Sequence, residues 1–205
     1  EYRIKGQTLV QIYDKYFTLA TAERTGYTFN GWYNGTEKYV NEVWRTAHNI
    51  TLIAKWKPII YTITYELDGG TATNVTGYTI EDTVVLNQPK KTGYTFTGWA
   101  GTDLTAPNPT LTILKGSIGD RNYTANWQAN EYAVTYNANG GISSKDSDTA
   151  IYDENFTLAT AERTGYTFDG WYNGTVQYTD GIWDTASPIT LKAKWTANEY
   201  AITYD

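Results

Sequence analysis

The phrase Gly165-Tyr-Thr-Phe-Asp-Gly-Trp-Tyr-Asn-Gly-Thr175 constrains this chain more than any other feature, because the chain spells it three times. Residues 156–175 match residues 17–36 at every position but one, where Asp169 stands in place of Asn30, and a looser version runs from Gly93 to Trp99. Self-similarity at a period of several tens of residues is the mark of an array of similar modules. The period divides the 205 residues into unit 1 (1–57), unit 2 (58–128) and unit 3 (129–196). Residues 197–205 begin a fourth unit that is cut off, since Tyr200-Ala-Ile-Thr-Tyr204 repeats Tyr132-Ala-Val-Thr-Tyr136. Unit 1 is shorter at its front and has an abridged opening hairpin. Both ends look cut, as in a fragment of a longer protein.

Each unit opens with period-two alternation. Tyr61, Ile63 and Tyr65 point one way and Thr62 and Thr64 the other, as a half-buried strand requires. Gly69-Gly70 and Gly140-Gly141 follow, and positive φ is expected at these pairs. Residues 83–86 and 155–158 are rich in Thr, Val, Phe and Leu and read as the return strand of a hairpin. The Gly-Tyr-Thr-Phe phrase is the next strand. Gly170 interrupts its alternation and turns Trp171 inward, and Tyr172-Asn-Gly-Thr175 has the residues of a tight turn. Residues 182–187 predict one helical turn ended by Pro188. The last strand is Ile189-Thr-Leu-Lys-Ala-Lys-Trp195, with Ile189, Leu191, Ala193 and Trp195 inward. The fold class is mainly β with little helix.

A unit of about 70 residues without disulfide or metal is near the lower limit for a self-sufficient core. The rings supply the missing apolar area, each burying roughly 150–250 Å². Two Trp recur in every unit, Trp32, Trp99 and Trp171, then Trp56, Trp127 and Trp195, and all six are assigned to the core. A third lies at Trp44 and Trp183, where the same spacing in unit 2 falls on Leu111. The joints are short and not Gly/Ser-rich, so free tumbling of the units is not expected. Three units end to end predict a stalk of order 90 Å.

Composition removes several functions. Net charge is −6 without a basic run, whereas a nucleic-acid binder needs a positive stripe. No apolar stretch approaches the ~20 residues that span a bilayer, so no direct membrane insertion is expected. Cysteine is absent, which excludes redox thiols, disulfides and Cys-based zinc. His48 is the single histidine and is replaced by Ser187 in unit 3. Glu23 and Glu162 match each other, but unit 2 has Lys90 there, so a carboxylate pair for glycoside hydrolysis is not built. The acidic loop of Asp146, Asp148, Asp153 and Glu154 lacks EF-hand spacing. No catalytic residue, metal site or cofactor is expected. Arg24, Lys91 and Arg163 put a cation before each Gly-Tyr-Thr-Phe strand, as a local partner or facing a ligand carboxylate. Tyr33, Tyr39, Tyr172 and Tyr178 are the rings least committed by periodicity, and they are the candidate ligand-facing residues.

Gly-Tyr-Thr-Phe-x-Gly-Trp-Tyr, a short Trp-containing segment and Ile-Thr-Leu-x-Ala-x-Trp together resemble the Listeria–Bacteroides repeat, the B-repeat type of the internalins. The resemblance covers essentially the whole chain. It implies a small α+β, β-grasp-like module, displayed in tandem on a bacterial surface or cell wall, without catalytic activity. Unit 2 departs from the pattern, with Ala100-Gly-Thr-Asp103 after its Trp. The expected function is an elongated extracellular stalk or spacer that also contributes to adhesion and virulence. The alternative is a glycan- or mucin-binding adhesive module using exposed Tyr and Trp. The expected partner is a host surface glycan or a protein receptor, and the chain itself is expected to be a monomer.

Overall fold

The computed structural model describes residues 8–205, so whatever opens unit 1 before Thr8 lies outside the described residues. Among the described residues every regular element is a strand. Unit 3 is the fullest example. Its sheet runs Ser147–Ile151, Glu131–Asn137, Ile189–Ala197, Tyr166–Asn173, Val176–Tyr178. The first and last strands of the unit lie side by side and parallel, with Val134 opposite Ile189 and Tyr136 opposite Leu191. Unit 2 repeats this arrangement in Gly77–Tyr78, Tyr61–Glu66, Arg121–Ala129 and Tyr94–Gly101, again with a parallel first-to-last pair. Unit 1 has the order Glu37–Tyr39, Tyr27–Asn34, Ile53–Pro58.

Alternation survives into the structure and then breaks where the phrase says it does. Tyr166 and Phe168 share a face of their strand. A bulge between Phe168 and Gly170 shifts the register against Ile189–Ala197. Gly170 sits there at φ 123°, in a region that L side chains rarely adopt. The extra residue turns Trp171 inward until only 1% of it is exposed. Unit 1 has the same bulge at Gly31, φ 124°.

Units 2 and 3 each hold one core. In unit 3 it is built from Val134, Ala150, Trp171, Trp183, Leu191 and Ala193 with their neighbours. Unit 2 lacks the third Trp and buries Leu111 and Ile113 together. Of the six assigned rings, Trp99 and Trp171 are fully buried, whereas Trp32, Trp56, Trp127 and Trp195 are half-buried. Four of the six indole N–H groups end on carbonyls in equivalent places, Trp32 on Ala20 and Trp171 on Ala159, Trp127 on Leu67 and Trp195 on Ala138, whereas the buried Trp99 N–H has no hydrogen-bond partner among the described residues. Buried donors need such partners.

Three expectations are corrected. Residues 83–86 and 155–158 are not the return strands. The opening strands pair instead with Gly77–Tyr78 and Ser147–Ile151, while Val84–Val85 and Asn155–Phe156 bond forward to Thr112–Ile113 and Gly181–Ile182. The helical turn over residues 182–187 does not form. Ile182 is paired in a strand, and the Trp183 carbonyl accepts from the Asp153 amide at 2.9 Å, so an acceptor that a first helical turn needs is already used. Positive φ falls on Asp68-Gly69 and Asn139-Gly140, one residue earlier than expected. The amides of Gly70 and Gly141 close these turns onto the carbonyls of Leu67 and Ala138, the pattern of a type I′ turn. Gly70 and Gly141 are small for another reason: a Cβ on either would sit 2.5 Å from the ring of Trp127 or Trp195.

Candidate ligand-binding surface and the unit joints

The four candidate tyrosines fall into two pairs on opposite faces of the sheets. Tyr39 lies opposite Trp32, and Tyr178 opposite Trp171, so both share the face that carries the core. Their rings stand 6.1 Å from Trp44 and 5.7 Å from Trp183. The Tyr178 hydroxyl lies 3.3 Å from Thr185 Oγ1. Tyr33 and Tyr172 are the next residues along their strands and therefore face outward. Lys55 Nζ stands 4.1 Å from the centre of the Tyr33 ring, and Lys194 Nζ 3.7 Å from that of Tyr172. The outer face of units 1 and 3 thus presents a half-buried ring under an ammonium group, an arrangement worth about 0.5–1 kcal/mol at exposed sites.

The cations before each Gly-Tyr-Thr-Phe strand also lie on rings. Arg24 and Arg163 each stand 3.7 Å above Tyr27 and Tyr166, and Lys91 stands 4.2 Å above Tyr94 while bridging to Asp68 at 3.1 Å. In the acidic loop, Asp148 is paired with Lys145. Among the described residues no cluster of three His, Cys, Asp or Glu is placed to hold a metal ion. Glu23, Glu162 and His48 are exposed side chains on the surface.

The sequence reading missed a second repeated constellation, at the joints. The Tyr27 hydroxyl of unit 1 donates to Glu81 Oε1 of unit 2 at 2.7 Å, and the Tyr94 hydroxyl of unit 2 donates to Asp153 Oδ2 of unit 3 at 2.7 Å. Beside each tyrosine a glycine makes room for a side chain of the next unit. A Cβ on Gly26 would lie 2.5 Å from Ile80 Cδ1, and one on Gly93 2.3 Å from Tyr152 Cδ1. The glycine carbonyl then accepts from the linker, from Ile59 at 3.0 Å and Asn130 at 2.9 Å. The Tyr94 and Tyr152 rings meet edge to face at 5.6 Å. The legible signal was the Gly-Tyr pair of each phrase, with an apolar–acidic pair, Ile80-Glu81 or Tyr152-Asp153, in the following unit.

The Tyr94–Asp153 bond makes one joint sensitive to alkali. Donation to the carboxylate, with desolvation and the nearby negative charge, pushes the Tyr94 phenol up from 10.0 to about 12. A raised pKa means that the neutral phenol is favoured in the folded state. The contribution is therefore fully present below the ordinary phenol pKa and is lost as pH rises through about 12. Ultraviolet titration of the phenols is expected to show one tyrosine moving back toward its ordinary range in Asp153→Asn. An unchanged titration curve would contradict the bond.

Comparison with known proteins follows the same division into units. The family model described as the Listeria-Bacteroides repeat domain matches residues 4–55, 61–112 and 132–194. A predicted membrane protein of Evansella cellulosilytica is 33% identical over 199 residues, covering 89% of this chain and 28% of that protein. A predicted Gly-rich membrane protein of the same organism is 28% identical over 213 residues, covering 97% and 24%. Internalin H of Listeria monocytogenes is 39% identical over 82 residues, covering 37% and 14%. The chain thus spans at most 28% of the length of these relatives. No solved structure matches significantly. With the family model matched three times in tandem, this chain belongs to the Listeria–Bacteroides repeat family.

Proposed function

We propose that this segment is a non-catalytic extracellular spacer of a bacterial cell-surface protein, projecting the domains beside it away from the wall. The observation that carries this reading is the recurrence of one joint design between successive units, with the same tyrosine-to-carboxylate bond and the same glycine socket. A spacer needs its units held at fixed angles, and a binding module has no such requirement. The relatives named as membrane proteins and as an internalin favour surface display.

The absence of native cysteine allows paired labels at Thr36 and Thr175, in equivalent hairpin turns of units 1 and 3. Single-molecule energy transfer between them is expected to give one narrow distance distribution. A broad distribution, as from freely jointed units, would sink the spacer reading.

A second reading, adhesion to a host glycan, mucin or protein receptor, is favoured by the outward Tyr33 and Tyr172 in equivalent places. It predicts saturable binding to a mucin and glycan array that Tyr33→Ala and Tyr172→Ala abolish without lowering the melting temperature. Absence of binding at high micromolar protein would exclude it.

A further inference from the structure

In units 2 and 3 the strand by which the chain enters and the strand by which it leaves are neighbours and run the same way. Tyr61–Glu66 pairs with Arg121–Ala129, Ile63 lying opposite Arg121 and Glu66 opposite Thr124. Glu131–Asn137 pairs with Ile189–Ala197, Val134 lying opposite Ile189 and Asn137 opposite Lys192. Little chain lies between units. Asn130 alone separates the last strand of unit 2 from the first of unit 3, and Ile59 and Ile60 separate Ile53–Pro58 from Tyr61–Glu66. The Asn130 amide donates to the Gly93 carbonyl, and its side-chain oxygen accepts from Thr95 at 2.6 Å. Tension along the array therefore passes from strand to strand with almost no slack to take up.

Parallel pairing decides how a unit meets that tension. A pull on the start of the first strand and the end of the last drags the two past each other in opposite directions. The cross-strand bonds lie across the pull, so all are loaded at once, whereas strands parted from one end lose their bonds singly. Sliding by one residue would also turn the fully buried Val134 away from the core. Forced unfolding follows the rate of this rupture rather than equilibrium stability, so a unit with a small core can still resist a pull. We propose that each of these units is a mechanical clamp, that the array transmits tension through its parallel strand pairs, and that unit 2 is reinforced to yield last.

The reinforcement is a set of side-chain bonds across the unit 2 pair. The Thr62 amide donates to Asp120 Oδ1 at 2.7 Å, the Thr64 hydroxyl to the Arg121 carbonyl at 3.2 Å, and the Thr124 hydroxyl to Glu66 Oε2 at 3.4 Å. Arg121 leaves the last strand and reaches past the first. Its Nε donates to the Tyr78 hydroxyl at 2.9 Å, on the strand beyond, and its other end bridges to Asp103 at 2.5 Å. The Tyr78 hydroxyl in turn donates to the Gly119 carbonyl at 2.7 Å. With its side chain 9% exposed, the guanidinium ties the two paired strands to their neighbours on both flanks. Unit 3 has Pro188, Ile189 and Lys192 in the places of Asp120, Arg121 and Thr124. Its own side-chain links to the last strand are the Trp195 N–H on the Ala138 carbonyl, matched in unit 2 by Trp127 on Leu67, and the Asn139 amide on the Ala193 carbonyl at 3.1 Å.

The clamp lies inside each unit and the fixed angles lie at the joints, so the inference goes beyond the spacer reading. A narrow distance distribution can stand without the clamp, and the clamp without it.

Single-molecule force spectroscopy of the full chain tests it, because the absence of native cysteine lets handles be placed in pairs. Handles at Glu131→Cys and Ala197→Cys, both exposed positions, shear the unit 3 pair. Handles at Glu131→Cys and Ser187→Cys, also exposed, sit at one end of the same pair and unzip it. The sheared unit is expected to open in one step of roughly 200 Å, the extended length of residues 131–197 less the folded unit. Its opening force is expected to be several-fold that of the unzipped unit. Equal forces in the two geometries overturn the clamp. Unit 2, sheared between Ile60→Cys and Gln128→Cys, is expected to need more force than unit 3. Arg121→Ile, which installs the residue of unit 3, is expected to bring unit 2 down to the unit 3 force, and Thr64→Val to lower it by less. A unit 2 that yields no later than unit 3, or that neither variant weakens, overturns the reinforcement.

Discussion

Trp171→Ala is expected to unfold unit 3 while units 1 and 2 stay folded. The ring is 1% exposed and stands 4.8 Å from Tyr136 and 5.5 Å from Phe168, and its N–H donates to the Ala159 carbonyl at 2.6 Å. Emptying such a site removes the transfer energy of the ring and leaves a cavity, together costing about 3–5 kcal/mol. A single core in a unit of this size rarely supplies more than about 3–5 kcal/mol, so the loss equals the whole stability of the unit. Tryptophan fluorescence during denaturant unfolding should show a fraction of the chain already unfolded without denaturant, with the remainder melting in its usual range. Trp32→Ala is the informative contrast. Trp32 makes the equivalent bond to Ala20 and the equivalent contact with Phe29, but it is only half-buried and no described ring stands where Tyr136 stands in unit 3. Its loss should be smaller. Equal effects of the two substitutions would mean that the parallel opening strand adds little to the core.

That strand also marks the limit of what the sequence made legible. Period-two alternation reports which way side chains point along one strand, and it located the inward Tyr61, Ile63 and Tyr65 and the bulge that buries Trp171. It carries no information about which strand lies alongside. The parallel pairing of the first and last strands joins residues far apart in sequence, with Val134 opposite Ile189, and no turn residue announces it. The return strand was misplaced for the same reason. Asn155–Phe156 has the composition of a strand, yet it bonds to Gly181–Ile182, and beside that pair the Asp153 amide takes the Trp183 carbonyl that a helical turn would need. At the candidate surface, continuing the alternation past Gly170 would have put Tyr172 outward, and the two-residue turn would have set Tyr178 opposite Trp171 on the core face. The joints were harder to find, because each uses residues from two units, and the acid that meets Tyr94 belongs to a loop whose charges alone suggest a solvated surface.

The joints can be weighed by one matched pair of substitutions, Gly93→Ala and Gly165→Ala. Both glycines sit at φ 78°, and both carbonyls accept from the linker asparagine at 2.9 Å. The backbone strain of an alanine, of order 1 kcal/mol, is therefore common to the two variants. They differ in what the new methyl meets. At Gly165 there is nothing within 4 Å, whereas at Gly93 the Tyr152 ring lies at 2.3–2.5 Å. Overfilling of this kind costs about 1–3 kcal/mol, or else the ring leaves its seat and takes Asp153 out of reach of the Tyr94 hydroxyl. Gly165→Ala should shift only the melting of unit 3. Gly93→Ala should in addition uncouple units 2 and 3, seen as two separate calorimetric transitions and a broadened distance distribution between labels in those units. Should the two variants behave alike, the Tyr152 ring would not be holding the joint, and the orientation of successive units would have to come from the linker backbone alone.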